Sequence, residues 1–394
     1  MENDPSVPAA AHDDVYLDPY VYLDHNATTP VLPEVLEAML PFLRDQFGNP
    51  SSDHGVGRRS RDAVGRAREQ VAALLSCRPD EVLFTSGGTE SNNLAIFGSA
   101  ATAAANRRRL VTSCVEHPAT LRPCEHLEKT GWAVNLLPVT ASGHVDAAEV
   151  RRAVGPDVAL VSLMLAQNET GALMPVAEAA DAAHAVGALV HTDAAQAVGR
   201  IVVDVNALGV DLLSLAGHKC YAPKGIGALY VRRGTALAPV LLGGGQERGL
   251  RPGTENVAGI VALGAACELA NARMPDESER IARQRDSLWE TLATAVPGLT
   301  RHTACVALPN TLNVSFPDVS GRDMLALADG VMASTGSACH AGEEQPSAVL
   351  LAMGVTPEVA RGAVRLSLGH GTTDIHIERA STVLQSAYQQ LIGA

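Results

Sequence analysis

A lysine directly after a predicted strand is the first residue whose position suggests catalysis. Lys219 ends the run Ser214-Leu-Ala-Gly-His-Lys219, which places it at the carboxyl end of the strand rather than on a helix surface. Ligands of open α/β sheets bind at those ends. A lysine amine there can form a Schiff base with a carbonyl cofactor if its surroundings lower its pKa enough to leave it neutral. An ordinary surface lysine is the alternative that this segment alone leaves open.

Three other polar segments also follow predicted strands. Asp193 ends one strand, and a carboxylate there can pair with the pyridinium nitrogen of pyridoxal phosphate (PLP). In the segment 85–93, Gly87 and Gly88 let backbone amides approach a phosphate at a helix N-terminus. His117 follows a further strand, where an imidazole can lie over a cofactor ring. A helix N-cap, a tight turn and a core or capping histidine are the respective alternatives, but four such segments together favour a cofactor pocket.

The chain has seven cysteines, and one of them lies among small and acidic residues. Cys339 is near the centre of the segment 333–346, whose glycines would let a thiol move between two positions. An exposed thiol without a function is the alternative, and Glu343 and Glu344 would raise rather than lower its pKa. The cysteines form no CxxC pair, so no metal site and no disulfide framework is predicted. An odd, scattered set is typical of reduced thiols in a cytosol.

The two glycine-rich stretches do not fit a dinucleotide site. In the stretches 225–230 and 243–248 the sixth position is neither glycine nor alanine, and neither opens a helix after a first strand. A nicotinamide-dependent oxidoreductase is therefore disfavoured.

Charge and composition exclude further classes. The 394 residues include 30 Lys and Arg against 43 Asp and Glu, a formal net charge of −13, which disfavours binding to nucleic acid or to an anionic membrane. Residues 1–14 lack a basic start followed by an apolar stretch, so no secretory signal is expected. No segment reads as the run of about 18 to 20 apolar residues that spans a bilayer. We therefore expect a soluble, cytoplasmic protein that binds neither nucleic acid nor membrane.

The pattern of apolar residues predicts an α/β fold. Seven short apolar runs are predicted as strands: 81–86, 109–114, 132–137, 158–165, 188–192, 210–215 and 226–231. Helical spacing between some of them predicts helices over 118–130, 145–154 and 176–186. Alternating strands and helices predict a mainly parallel, seven-stranded sheet covered on both faces.

After Gly253 the pattern changes. An Ala-rich helix over 257–274 and a charged helix over 279–292 are predicted, followed by strands near 311–316 and 363–368 and a helix near 323–328. We therefore expect a large cofactor-binding domain over 21–256 and a smaller α+β domain over 257–394 that carries the cysteine segment. Residues 1–20 are expected to pack on the small domain or to be disordered.

These motifs together resemble a known family. The segments Tyr22-Leu-Asp-His-Asn-Ala-Thr-Thr-Pro30, Gly48–Ser52, Gln167-Asn-Glu-Thr-Gly171, Gly217–Lys219, Arg251–Thr254, Gly336–Cys339 and Val364–Gly369 span nearly the whole chain. As a set they resemble the PLP-dependent cysteine desulfurases of group I in the class V aminotransferase family, and are particularly similar to selenocysteine lyases. The resemblance implies a PLP-dependent transferase of fold type I that forms a homodimer, with the cofactor near the interface.

The resemblance also implies a role for each matching residue. Lys219 would hold PLP covalently, Asp193 would pair with the pyridinium nitrogen, and His117 would stack on the ring. Gln196 would bind the phenolic oxygen. The phosphate would be bound by Gly88, Thr89 and His218, with Thr254 reaching in from the partner subunit. Asn26, Asn168 and Arg365 would hold the substrate, and a guanidinium is well suited to gripping a carboxylate. Cys339 would attack the substrate sulfur.

One position departs from the pattern of the cysteine desulfurases. Many of them have a phosphate-binding serine two residues before the cofactor histidine, whereas this chain has Ala216. A small or apolar residue there, like the run Gln345–Ser347, is similar to selenocysteine lyases. The expected reaction is conversion of L-cysteine to L-alanine with a persulfide on Cys339, which a sulfur-acceptor protein then receives. The alternatives are cleavage of L-selenocysteine, an ordinary class V aminotransferase, and a catalytically idle scaffold.

Overall fold

The computed structural model describes residues 20–304, 306–336 and 345–393. In these ranges the strands are β1 (Val21–Tyr22), β2 (Val82–Thr85), β3 (Arg109–Ser113), β4 (Ala133–Leu137), β5 (Val158–Ser162), β6 (Leu189–Asp193), β7 (Leu212–Ala216), β8 (Gly227–Val231), β9 (Thr300–Arg301), β10 (Thr311–Ser315), β11 (Val331–Met332) and β12 (Ala363–Ser367). The helices are α1 (Pro33–Arg44), α2 (Gly55–Leu74), α3 (Gly88–Thr102), α4 (Pro118–Lys129), α5 (Ala147–Ala153), α6 (Val176–Ala185), α7 (Val205–Leu208), α8 (Val257–Ala295), α9 (Gly321–Leu327), α10 (Ala348–Ala352), α11 (Pro357–Arg361) and α12 (Asp374–Ile392).

The seven strands predicted between residues 81 and 231 form one sheet. Their order is β2-β8-β7-β6-β5-β3-β4, and only β8 runs against its neighbours. Every residue of β2, β5, β7 and β8 is buried, because helices cover both faces of the sheet. The prediction of a mainly parallel sheet is confirmed. The carboxyl ends of β2, β3, β5, β6 and β7 consequently lie along the same edge, which we call the sheet rim.

A second group of elements has its own apolar core. β12, β10 and β9 form an antiparallel sheet, and its buried residues pack with those of the end of α8 and of α12. The N-terminal strand belongs to this group: β1 pairs in parallel with β11, and Val21 and Leu23 are buried in the same core. The domain boundary between residues 256 and 257 stays a prediction. However, β1, which was predicted to belong to the large domain, packs with the C-terminal elements.

The long helix α8 joins the two cores. Two helices separated near Pro275 were predicted, whereas the structure has one helix of 39 residues with Pro275 inside it. The change from an Ala-rich to a charged composition after Met274 explains the prediction. The helix continues because each of its halves is held by packing. Leu263 and Cys267 lie in the core around the large sheet, and Leu288 and Leu292 lie in the core of the C-terminal group.

Among the described helices, α8 has the length and the apolar composition that a membrane span would need. Half of its most apolar stretch is buried inside the fold, where α8 packs against α1, α2 and α12. Its apolar residues therefore belong to the protein core.

Candidate active site

The residues predicted to bind the cofactor come together at the sheet rim. α3 begins at Gly88, three residues after β2 ends, and His117 forms the N-cap of α4 after β3. Asp193 is the last residue of β6, and Lys219 lies in a short turn after β7. The charges of Asp193 and Lys219 both act on the pKa of His117, so the three side chains share one electrostatic environment.

Asp193 is held by an asparagine that sequence reasoning did not assign. The carboxylate is 8% exposed, and Asn92 Nδ2 donates to its Oδ2 over 2.7 Å. Its other oxygen accepts the backbone N–H of Ala195 over 3.0 Å. The two hydrogen bonds fix the orientation of the Asp193 carboxyl group at the end of β6. Asn92 lies in the glycine-rich segment 85–93, one turn into α3, and its helix position is the signal that could have found it.

The amine of Lys219 has a strongly lowered pKa. Its Nζ donates to the carbonyl oxygens of Asn26 and Ala27, the latter over 2.8 Å. Burial, followed by the positive charges of Arg200 and Arg365, lowers the pKa of Lys219 to about 7. A large share of the amine is therefore neutral near neutral pH, as Schiff-base formation requires.

Gln196 is oriented by an arginine that the sequence did not reveal. Its Nε2 donates to the Asn26 carbonyl over 3.0 Å, so it meets the same oxygen as Lys219. Arg200 donates to Gln196 Oε1 and, through its other terminal nitrogen, to the carbonyl of His25 over 2.9 Å. Arg200 thus fixes the Gln196 amide and also lowers the pKa of Lys219.

Two histidines at the rim are held neutral. His117 Nδ1 accepts the Ala119 N–H over 3.1 Å, so the capping contact that the sequence left open is present. Burial, opposed by the charge of Asp193, lowers the pKa of His117. His218 Nδ1 lies 3.2 Å from Thr28 Oγ1, and burial lowers the pKa of His218 to about 4. A neutral imidazole suits both stacking on a ring and a single N–H donated to a phosphate.

The predicted substrate residues form a connected group next to the lysine. Asn26 Nδ2 and Arg365 Nη1 both donate to the carbonyl of Asn168, each over 3.1 Å. Arg365 also forms an ion pair with Asp24, Nη2 to Oδ1 over 2.8 Å, and its side chain is 6% exposed. Asp24 was not predicted as a site residue. A substrate carboxylate bound to Arg365 would have to share the guanidinium group with the carboxylate of Asp24.

A buried carboxyl group lies behind the rim. Glu116 is 5% exposed, and it accepts the Met164 N–H over 2.9 Å and the Ser113 hydroxyl over 2.8 Å. Burial raises the pKa of Glu116 to about 8. These bonds tie the end of β3 to the segment after β5, and so fix the backbone that leads to His117.

The comparisons with known proteins point to one family. Residues 21–379 match the family model of class-V aminotransferases. The chain is 45% identical over 374 residues to cysteine desulfurase IscS of Dictyoglomus turgidum, covering 94% of this chain and 95% of that protein. It is 48% identical over 380 residues to a cysteine desulfurase of Gluconacetobacter diazotrophicus, covering 94% of each.

The chain belongs to the class-V aminotransferase family. Within it, this is a PLP-dependent enzyme of the cysteine desulfurase type, as the resemblance predicted. The solved structure of a NifS-like protein superposes with a TM-score of 0.88 at 36% identity, covering 95% of this chain and 100% of that one. A structure titled SspA in complex with cysteine superposes with a TM-score of 0.78 at 37% identity, covering 88% and 98%. The fold is accordingly that of PLP-dependent enzymes of fold type I.

The residues at the rim fit the cofactor of this class-V family. The N-terminus of α3 offers backbone N–H groups and the hydroxyl of Thr89 to a phosphate. Space there is limited, because a Cβ atom added to Gly88 would lie 3.3 Å from the Cβ of Ala216. Thr89 and His117 also line a surface cavity of about 450 Å³ between α3 and α4.

Two further predicted site residues of the class-V enzyme are Thr254 and Cys339. Thr254 is exposed in the loop before α8, three residues after Arg251, whose Nε donates to Glu90 Oε1 over 2.9 Å beside Thr89. Cys339 lies outside the described residues, as does His340. The chain on either side is described, and Gly336 and Ser347 both approach the carboxyl group of Glu169.

Proposed function

We propose that this enzyme removes sulfur from L-cysteine with Lys219 as the lysine that holds PLP and Cys339 as the thiol that receives the sulfur. The observation that supports this proposal most directly is the amine of Lys219, which is held by the carbonyls of Asn26 and Ala27 and has a pKa lowered to about 7 at the sheet rim that also carries the buried Asp193. The bound PLP supplies an electron sink for negative charge that develops on the substrate.

The protein side chains divide the remaining work. Lys219 would hold PLP and, as the free amine, would take the α-proton of the substrate, since its neutral form is accessible near pH 7. Asp193 would hold the pyridinium nitrogen, Gln196 the phenolic oxygen, and His117 the ring. Gly88, Thr89 and His218 bind the phosphate, Thr254 of the partner subunit adds to them, and Asn26, Asn168 and Arg365 hold the substrate.

Sulfur transfer balances without an external oxidant. The thiolate of Cys339 attacks the substrate sulfur, and an S–S bond forms as the C–S bond breaks. The electron pair of the broken bond stays with the carbon fragment, which takes up one proton at Cβ, regains the α-proton from Lys219 and leaves as L-alanine. The enzyme retains a persulfide on Cys339, which a sulfur-acceptor protein then receives. We place the enzyme in the cytoplasm as a homodimer.

The substrate experiment compares alanine release from L-cysteine and from L-selenocysteine, with and without a thiol reductant. We expect Cys339→Ala to bind PLP normally and to lose cysteine desulfuration, while Cys114→Ala, which removes a free and partly exposed thiol after β3, keeps it. Persulfide formation at the parent rate in Cys339→Ala would refute the assignment of the nucleophile.

The cofactor lysine is tested by spectroscopy. Lys219→Ala should lack the borohydride-reducible absorbance of lysine-bound PLP, whereas Lys224→Ala, at an exposed position in the same loop, should keep it. Reducible absorbance that persists in Lys219→Ala would overturn the assignment.

Cleavage of L-selenocysteine is the second candidate function, and Ala216 favours it. Ala216 is 4% exposed at the position where a serine would face the N-terminus of α3. The relatives compared above are named as cysteine desulfurases, which favours sulfur. An ordinary aminotransferase would require a keto acid for turnover, and an idle scaffold would be colourless when purified and would form no lysine-bound PLP.

A further inference from the structure

Glu169 is a buried carboxyl group that the proposed chemistry does not use. It lies between Asn168, a proposed substrate residue, and Thr170, and it is 7% exposed. Its backbone is fixed from both sides, since its N–H donates to Gln167 Oε1 and its carbonyl accepts Asn313 Nδ2 over 3.2 Å. The side chain is therefore presented from a rigid turn.

The carboxyl group of Glu169 contacts both flanks of the segment that carries Cys339. On the C-terminal side, Ser347 Oγ donates to Glu169 Oε2 over 2.5 Å, and Ser347 also caps α10 by accepting the Leu350 N–H over 3.2 Å. On the N-terminal side, Gly336 has a φ of +81°, and a Cβ atom added there would lie 3.0 Å from Glu169 Oε2. One oxygen atom thus faces residues on either side of the stretch 337–346.

The N-terminal flank is hydrogen-bonded to Arg365, the arginine proposed to bind the substrate. Ser334 and Arg365 exchange backbone hydrogen bonds, over 3.3 and 2.6 Å, just before Gly336. The side chain of Arg365 donates to the carbonyl of Asn168, one residue before Glu169. The chain leading to Cys339 and the group that binds the substrate are therefore connected through residues 168 and 169.

A carboxyl group is an expensive choice at such a buried position. Burial raises the pKa of Glu169 to about 7, although the Ser347 hydroxyl and the positive charge of Arg365 both lower it. Strongly perturbed groups of this kind are concentrated at functional sites.

We propose that Glu169 is a positioning residue for sulfur transfer, which holds the C-terminal flank of the Cys339 segment through Ser347 and lies close to Gly336 on the N-terminal flank. The inference rests on the proposed role of Cys339. Glu169 is expected to affect the formation of the persulfide on Cys339, but neither PLP binding nor removal of the α-proton.

The test separates these steps in the full-length, PLP-loaded enzyme. Exchange of the α-proton of L-alanine with deuterated water reports the cofactor and Lys219 without the thiol. A single turnover with L-cysteine reports persulfide on Cys339. We expect Glu169→Ala and Ser347→Ala to slow persulfide formation at least about tenfold, because the thiol is less well placed, while exchange stays within about twofold of the parent.

Two variants serve as controls. Thr356→Ala removes the N-cap hydroxyl of the neighbouring helix α11, as Ser347→Ala does for α10, but Thr356 has no bond to Glu169 among those found in the described residues. Thr356→Ala should keep both rates. Glu169→Gln retains an oxygen acceptor for Ser347 and should recover most of the rate lost in Glu169→Ala.

The outcomes distinguish this inference from the function on which it rests. Persulfide formation and exchange that fall together in Glu169→Ala and Ser347→Ala would show a general structural role and overturn the inference. Parent-like persulfide formation in both variants would overturn it as well. Parent-like persulfide formation in Cys339→Ala, measured beside them, would instead overturn the proposed function.

Discussion

Two cations, Arg200 and Arg365, add to burial in lowering the pKa of Lys219, while Asp193 and Asp24 oppose them. A lysine with a lowered pKa is protonated below that pKa and neutral above it, so its nucleophilicity rises as the pH increases. The pKa of Lys219 is lowered from 10.5 to about 7, so the increase in its nucleophilicity falls within the physiological pH range.

The first prediction concerns the capture of PLP by the apoenzyme. Its rate should rise with pH and be half-maximal near pH 7, where half of the Lys219 amine is neutral. Arg200→Met removes a positive charge and should move the midpoint to higher pH, whereas Lys224→Met should leave it unchanged. Stopped-flow absorbance at several pH values measures the rate. A midpoint near 10.5 in the parent would contradict the expected environment of Lys219.

The second prediction concerns position 216. Ala216→Ser places a hydroxyl group beside the N-terminus of α3, where it can donate to the phosphate. One added hydrogen bond is worth about 1 kcal/mol, so PLP should bind about fivefold more tightly. Equilibrium titration of the apoenzyme measures the affinity, and Ala222→Ser, a buried alanine after Lys219, is the control. Unchanged affinity in Ala216→Ser would show that this hydroxyl does not reach the phosphate.

At the scale of elements, β1 joins the beginning of the chain to its C-terminal half. Leu23 follows β1 directly and is fully buried among residues of β10, β12 and α12. Its N–H donates to the Met332 carbonyl, and its own carbonyl accepts the Ser367 N–H over 2.7 Å. Removal of this strand would expose apolar side chains and unpaired backbone groups together.

The third prediction follows from that packing. Leu23→Ala should lower the free energy of unfolding by about 2–5 kcal/mol, because it leaves a cavity in the second core. Tyr20→Ala, at a residue that is 43% exposed, should change it by less than about 0.5 kcal/mol. Urea unfolding followed by circular dichroism measures both. Equal stability of the two variants would mean that β1 contributes little to the core.

At the scale of the whole molecule, the phosphate site gives a test of the proposed homodimer. Thr254 is exposed in the loop before α8, as a residue that serves the partner subunit would be. The resemblance implies the same arrangement, and a closed two-fold dimer would give each site one such threonine.

The fourth prediction uses mixed dimers. Lys219→Ala and Thr254→Asp should each be inactive alone, the first without its lysine and the second because a carboxylate repels the phosphate. Co-expression with different tags and purification on both tags isolates the mixed dimers, and about half of their sites should be active, since each mixed dimer has one intact site of two. Alanine release from the doubly purified dimers measures this. If Thr254 served its own subunit, the mixed dimers would stay inactive.

The elements that carry the site were largely predictable from local patterns. Apolar runs bounded by turn residues predicted all seven strands of the large sheet, and polar residues at the strand ends predicted Lys219, Asp193 and His117. These signals are local, because strand alternation, helix spacing and chain breaks each depend on a few neighbouring residues. The resemblance to the family then supplied the remaining roles.

The partners of those residues were decided by tertiary packing alone. Asn92 meets Asp193 across 101 positions of sequence, and Asp24 meets Arg365 across 341. No local pattern predicts which distant polar groups come within hydrogen-bonding distance, because that depends on how helices and strands pack. Packing likewise kept α8 continuous through Pro275 and placed Glu169 against Ser347. The sequence alone thus determined which residues stand at the strand ends, and the tertiary structure decided which charges and hydrogen bonds tune them.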